Sequence, residues 1–226
     1  PAGVLGGSRK KNVIREAVEW EGQDMTSLSD FRERWTGHVP VIQETTGEYA
    51  VLVPLMERPE GLCLVYEVRA DTLGRQPGEV CFPGGKMEGD EDPVTCALRE
   101  TWEELGVPPE RVEVVARLDI LTHQSGLTMY PVLGVIPANT PLRPSPAEVK
   151  ELLYVPVDWL RAHPAEIYTY DLVPQVGEDF PYDRIGFPNG YRWRGRKAVV
   201  PVYPWPDHPI WGLTGRVTRR LMEGME

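Results

Sequence analysis

Residues 81–107, CFPGGKMEGDEDPVTCALRETWEELGV, carry the pattern from which the rest of the chain is read. The segment opens as the end of a strand at Phe82, turns at Pro83-Gly84-Gly85 and crosses an acidic loop. Asp92-Pro93 has the form of a helix start. A carboxylate suits the N-cap, and proline at the first helical position lacks only an N–H that has no partner there. Gly106 marks the stop. At about 100° per residue, Val94, Ala97, Leu98, Thr101 and Leu105 fall on a core side. Glu100, Glu103 and Glu104 fall on roughly the other side, at i, i+3 and i+4, where like charges repel by roughly 0.2–0.5 kcal/mol per pair. Either water screens them on a solvated face, or they share divalent cations, since hard ions such as Mg²⁺ and Mn²⁺ take oxygen ligands.

The spacing decides between the two. Gly85, Glu91, Arg99-Glu100, Glu103-Glu104, Gly106 and apolar Val107 stand at the intervals of the Nudix box, which the segment resembles at every charged and glycine position. Thr101 departs from the aliphatic residue usual there, but a small β-branched side chain still packs. A gapped pattern of this length is far more specific than a short glycine motif. The resemblance implies an α/β (α+β) Nudix fold: an α/β/α sandwich with a mixed β-sheet, the box forming a loop–helix–loop at the sheet edge.

The residues upstream narrow the resemblance. Arg69-Ala70, Leu73 and the run Gln76-Pro77-Gly78-Glu79-Val80-Cys81-Phe82-Pro83-Gly84-Gly85 are similar to the additional signature of the coenzyme A diphosphatases. The stretches LDILTHQSGLTMYPVLGVI, Pro144 to Val149 and Ile210-Trp211-Gly212 resemble later segments of the same subfamily. Gln76 stands where that subfamily often has His, and the interval from Arg69 to Gly78 is one residue short.

Composition bounds the partners. The 226 residues are 41% hydrophobic and 26% charged, ordinary values for a globular protein, with a net charge of −10. That charge argues against non-specific binding to nucleic-acid backbones and makes cations necessary for a phosphate-bearing substrate. No apolar run reaches the length of a membrane span. Cys63, Cys81 and Cys96 have no C-x-x-C spacing and read as thiols in a reducing compartment, the cytoplasm. The first residues have neither an initiator Met nor a signal-peptide pattern, which suggests removal or alteration there.

Residues 1–36 read as an arm followed by short amphipathic helices, one around Val13–Val18 and one with Leu28, Phe31 and Trp35 on a face; their apolar surface allows a homodimer. Residues 37–226 read as the hydrolase domain. Strands are expected over 49–56, 62–68, 112–118, 129–136 and 152–155, with a hairpin turn at 57–61 and a helical turn at 157–161. Residues 164–204 read as an expanded irregular loop region with strands near 191–194 and 197–203, and a basic-faced helix ends the chain.

By resemblance, the chain is expected to hydrolyse a nucleoside diphosphate linked to another moiety, using Mg²⁺ or Mn²⁺. Glu100 and Glu104, then Glu103, are the expected metal ligands, with a backbone carbonyl of Gly84 or Gly85 completing the shell. Arg99 and Glu91 form the supporting network, and the general base is a box glutamate or Glu148, with Glu151 in reserve. Arg69, Arg75 and His123 are the substrate-contact candidates. Coenzyme A or its thioesters are the favoured substrates, ADP-ribose, NADH and nucleoside triphosphates the competitors. A non-catalytic ligand sensor of the same fold is the alternative of another class.

Overall fold

The computed structural model describes residues 27–225. It divides into two units, Pro1–Gln43 and Glu44–Glu226. The helix expected around residues 13–18 lies outside the described residues. In the first unit, α1 (Leu28–Trp35) starts at a reciprocal cap: the Asp30 N–H donates to Ser27 Oγ and the Ser27 N–H to Asp30 Oδ2. Leu28, Phe31 and Trp35 of this helix are exposed.

The second unit is built on β1 (Gly47–Arg58) and β2 (Gly61–Arg69). Pro59-Glu60 forms the tight turn between them, with Gly61 at φ +117°. β3 (Val80–Cys81) and β4 (Gly84–Lys86) flank the glycine turn, and α2 (Pro93–Leu105) follows. Asp92 caps α2 by accepting from the Val94 N–H at 3.0 Å, and Gly106 closes it at φ +67°. The chain continues through β5 (Glu113–Arg117), β6 (Leu121–Thr122), β7 (Leu127–Val135), β8 (Val149–Pro156) and α3 (Val157–Ala162). It ends with β9 (Glu166–Leu172), β10 (Arg196–Val202) and α4 (Gly212–Glu223).

The sheet is mixed, as its short connections require. Its main path runs β3-β2-β1-β7-β5, with β4 on β1, β6 on β7 and β8 on β2. β1 and β7 pair in parallel from Gly47↔Leu127 to Leu55↔Val135, and the other neighbours are antiparallel. Strand alternation sends successive side chains to opposite faces. Ala50, Leu52 and Val65 pack with Cys96, Ala97 and Leu105 of α2 on one face. Val51, Val53, Leu64 and Tyr66 pack with Leu160 of α3 and Val217 and Met222 of α4 on the other. This is the expected α/β/α sandwich. Tyr66 fastens α4 to the sheet through a buried hydrogen bond with Thr218 Oγ1 at 2.9 Å, and its ring stacks on Phe82 at 4.6 Å.

Residues 164–204 are more regular than the loop expected, and the strand expected near 197–203 forms as β10. β9 and β10 form a second, two-stranded antiparallel sheet, from Glu166↔Val202 to Leu172↔Arg196. No strand forms over 191–194, although YRWR alternates in the right sense. Its aromatic residues have local partners instead: Trp193 meets Phe180 edge-on and donates its indole N–H to the Tyr182 hydroxyl, while Tyr191 meets Phe187. An apolar alternation makes a strand only where another strand edge is within reach.

Candidate active site

The glycine turn and α2 build the site together. The Pro83 carbonyl accepts from the Leu52 N–H at 2.8 Å, which lays the turn directly on β1. A Cβ at Gly84 would stand 2.4 Å from the Ala50 carbonyl oxygen, and one at Gly85 would stand 2.3 Å from the Glu100 carboxyl carbon. Neither space admits a side chain, so the glycine pair is what lets backbone and carboxylate meet.

The three box glutamates do not share one side of α2. Ala97, Thr101, Glu104 and Leu105 follow i, i+4, i+7, i+8, so Glu104 belongs to the core stripe rather than opposing it. It is 6% exposed and accepts from the Gly84 N–H through Oε2 at 2.8 Å. Glu100 is half-buried against Gly85, and Glu103 points outward. Thr101 is fully buried, its hydroxyl satisfied by donating to the Ala97 carbonyl at 2.6 Å.

Arg99 organises the exposed flank. Its guanidinium grips Glu91 through two nitrogens, at 3.0 and 3.1 Å, and reaches Glu100 at 2.9 Å and Glu103 at 3.4 Å. The Arg99 contacts hold the Glu91 carboxyl below its ordinary range, and Glu91 in turn accepts from the Glu88 N–H. Glu91, Arg99 and Glu103 do not line the cleft described next; they brace its acidic side from outside.

Glu67 was not among the residues expected from the sequence. It lies on β2, 1% exposed, on the face that carries Val65 and meets α2. One carboxylate oxygen accepts from the Cys81 thiol at 3.2 Å, and the other has no hydrogen-bond partner. The signal was present: a single acid in the apolar run LCLVYEV. Burial raises the pKa values of Glu67, Glu104 and Glu100, and the mutual repulsion of these carboxyls and Glu148 adds to the rise.

Glu104 and Glu148, with Gly84 and Gly85, line the acidic side of a cleft of about 800 Å³, and Glu67 and Glu100 stand behind that lining. Arg69, Arg75 and His123 line it as well. Arg69 also steadies the loop ahead of the glycines by donating to the Arg75 carbonyl at 3.4 Å. Glu151 is engaged elsewhere, 3.0 Å from His208. The wall also includes residues the sequence did not single out: Tyr170 and Arg196 of the second sheet and Arg216 of α4. Tyr170 accepts a hydrogen bond from Gln124 Nε2, which ties that sheet to the loop before β7.

Among the described residues, no three His, Cys, Asp or Glu side chains stand together as a finished metal cage. The donor set nevertheless fits a hard divalent ion. It consists of carboxylate oxygens beside a glycine turn, one of them buried without a partner, and Mg²⁺ needs only one or two carboxylates because it keeps several waters. All three cysteines are free. No described helix is long and apolar enough to cross a membrane.

Over 137 residues the chain is 42% identical to peroxisomal coenzyme A diphosphatase NUDT7 of Mus musculus, a match covering 60% of this chain and 57% of that one. The chain therefore spans a little over half the length of that relative. Over 207 residues it is 30% identical to the protein named uncharacterized Nudix hydrolase NudL of Photorhabdus laumondii, covering 89% of this chain and 100% of the relative. A solved MutT/nudix family protein from Enterococcus faecalis superposes with a TM-score of 0.46 at 15% identity, covering 89% of this chain and 71% of that one. The NUDIX domain model matches residues 47–176, which takes in the glycine turn, α2 and Glu148. By that match and the full-length relative, the chain belongs to the Nudix family.

Proposed function

We propose that this protein is a divalent-metal-dependent pyrophosphohydrolase that cleaves coenzyme A or its thioesters to 4′-phosphopantetheine and adenosine 3′,5′-bisphosphate. The observation that carries the reading is the position of Glu104, buried against the Gly84 N–H beside Glu100 and Glu67, in a cleft that also holds arginines. Similarity to the mouse coenzyme A diphosphatase supports the choice of substrate.

Glu100 and Glu104, with a Gly84 or Gly85 carbonyl, are the groups that would hold Mg²⁺ or Mn²⁺. When bound, such an ion neutralises charge on the pyrophosphate and acidifies a water. The protein's own residues do the remainder. Arg99 fixes Glu91 and Glu100 in place. Glu148, exposed in the cleft, takes the proton of the attacking water as the phosphoanhydride P–O bond breaks. Arg69 and Arg75 offer cationic donors to the phosphates. His123, hydrogen-bonded to Ser125, fixes the loop at the far side of the cleft. The free cysteines suit a reducing compartment, the cytoplasm in this reading, whereas the mouse relative is named as peroxisomal.

The test is a hydrolysis panel with Mg²⁺ and with Mn²⁺ over coenzyme A, acetyl-coenzyme A, ADP-ribose, NADH and dGTP. Coenzyme A or its thioester is expected to be turned over fastest. Preference for ADP-ribose by orders of magnitude overturns the substrate and leaves the chemistry. Turnover of none of them overturns the enzyme reading in favour of a ligand sensor.

A further inference from the structure

Arg216 and Arg196 line the same cleft as Glu104 and Glu148, and the chemistry of anhydride cleavage proposed above does not use them. Arg216, on α4, is half-buried and donates a long hydrogen bond from Nη1 to the Thr122 carbonyl at 3.4 Å. Among the described residues, the charged and polar groups that act on it are Arg196 and the Tyr170 phenol, with no carboxylate. Among the same residues Arg196 forms no ion pair, whereas its neighbour Lys197 is paired with Asp171 at 3.1 Å. Both guanidiniums also act on His123, and all three side chains line the one cleft. In a chain of net charge −10, two arginines brought together without a carboxylate between them make a local cationic patch suited to an anion.

Both arginines lie outside residues 47–176, the part of the chain that carries the family's general features. Tyr170, bonded to Gln124, holds the second sheet to the loop that carries His123, so the arginines line a wall with defined anchors. Guanidinium groups match phosphate oxygens by paired N–H donors, and the planar fork loses little freedom on binding.

We propose that Arg196 and Arg216 form an anion subsite for a phosphomonoester on the nucleoside half of the substrate, separate from the anhydride that is cleaved. This deepens the pyrophosphohydrolase reading and rests on it for the substrate class. The pair would make the enzyme discriminate between nucleotides with and without a ribose phosphate, a property the acidic side of the cleft cannot confer.

The experiment is equilibrium binding by calorimetry, without added metal, of 5′-AMP and adenosine 3′,5′-bisphosphate to wild type and to Arg196→Ala, Arg216→Ala and Arg216→Lys. Wild type is expected to bind the bisphosphate about tenfold or more tightly than AMP, the scale of one charge-assisted contact. Each alanine variant is expected to remove most of that preference and leave AMP binding unchanged, and Arg216→Lys to restore part of it. Equal binding of the two ligands by wild type overturns the proposal, as does an equal loss for both ligands in the variants, which a merely structural role would produce. Arg196 is exposed on β10, so Arg196→Ala provides a folded variant if Arg216→Ala is unstable. Turnover of coenzyme A is scored separately: if it is absent while the binding preference holds, the substrate assignment falls and the subsite stands.

Discussion

The two sides of the cleft are built in opposite ways. The heart of the acidic side, Gly84, Gly85, Glu100 and Glu104, comes from 21 consecutive residues, held by a turn and a helix whose spacing sets their relation, and Glu67 and Glu148 join it from other segments. On the basic side, His123, Tyr170, Arg196 and Arg216 come from a loop, two strands of a separate sheet and the last helix. The first is local, so a motif describes it. The second exists only once distant segments have packed, and no interval in the sequence encodes it. Chemistry common to a family fits the first construction, and selection among its substrates fits the second.

The largest expected effect belongs to the acidic side. Glu104→Gln should lower kcat by roughly a thousandfold with a small change in KM, the scale of losing one electrostatic stabiliser of the transition state. Steady-state kinetics on the best substrate measures this. An active Glu104→Gln enzyme would break the division of labour altogether.

Glu67 sharpens the same side because it was not part of the motif. Glu67→Gln should cost roughly 10- to 100-fold in activity, the usual loss when a group behind the metal ligands is changed. Metal-free Glu67→Gln should also unfold at a higher denaturant concentration than wild type, because it removes a buried carboxyl with an unpartnered oxygen. Lower activity together with higher metal-free stability separates a functional carboxylate from a structural one.

The pH dependence follows from the same burial. Glu67 and Glu104 have raised pKa values in the folded protein, so across and above the ordinary carboxylate range the folded state holds protons that the unfolded chain has released. Their contribution is therefore complete at low pH and is lost as pH rises through the folded values. Metal-free protein should lose stability steadily between pH 5 and pH 8 from these two groups. Mg²⁺ should restore more at pH 8 than at pH 5, where it competes with protons. Denaturant titrations with and without chelator decide this, and greater metal-free stability at pH 8 would contradict it.

The smallest effect is expected on the basic side. Tyr170→Phe removes the hydroxyl that Gln124 reaches and should raise KM by roughly three- to tenfold, the worth of one net hydrogen bond, with kcat unchanged. A fall in kcat instead would show that the second sheet positions the reacting atoms as well as the substrate's far end.

Much of the fold could be read from the sequence because its strands are apolar runs bounded by turn residues. The expected strands at 49–56, 62–68 and 129–136 correspond to β1, β2 and β7, and Asp92-Pro93 and Gly106 bound α2 where the capping residues indicated. Residues 164–204 were legible in part, with the strand near 197–203 formed and that over 191–194 not, because local alternation is ambiguous. EIYTYDL and YRWR have equally good patterns, and only the first finds a strand partner. Glu104 misled in another way. A glutamate at a core-stripe position is ordinarily a solvated residue at a stripe edge, and its burial depends on the Gly84 N–H arriving from a different segment.

By itself the sequence determined the family and the helix and turn that bear its glutamate pattern. Short-range geometry suffices for these, since helical spacing and glycine's freedom hold wherever the segment is placed. Only the tertiary structure decided that Glu67 joins Glu104, that Glu103 does not, and that Arg196 and Arg216 share one wall. Those relations depend on sheet register and on which strand edges meet, and packing settles both over distances that no local pattern spans.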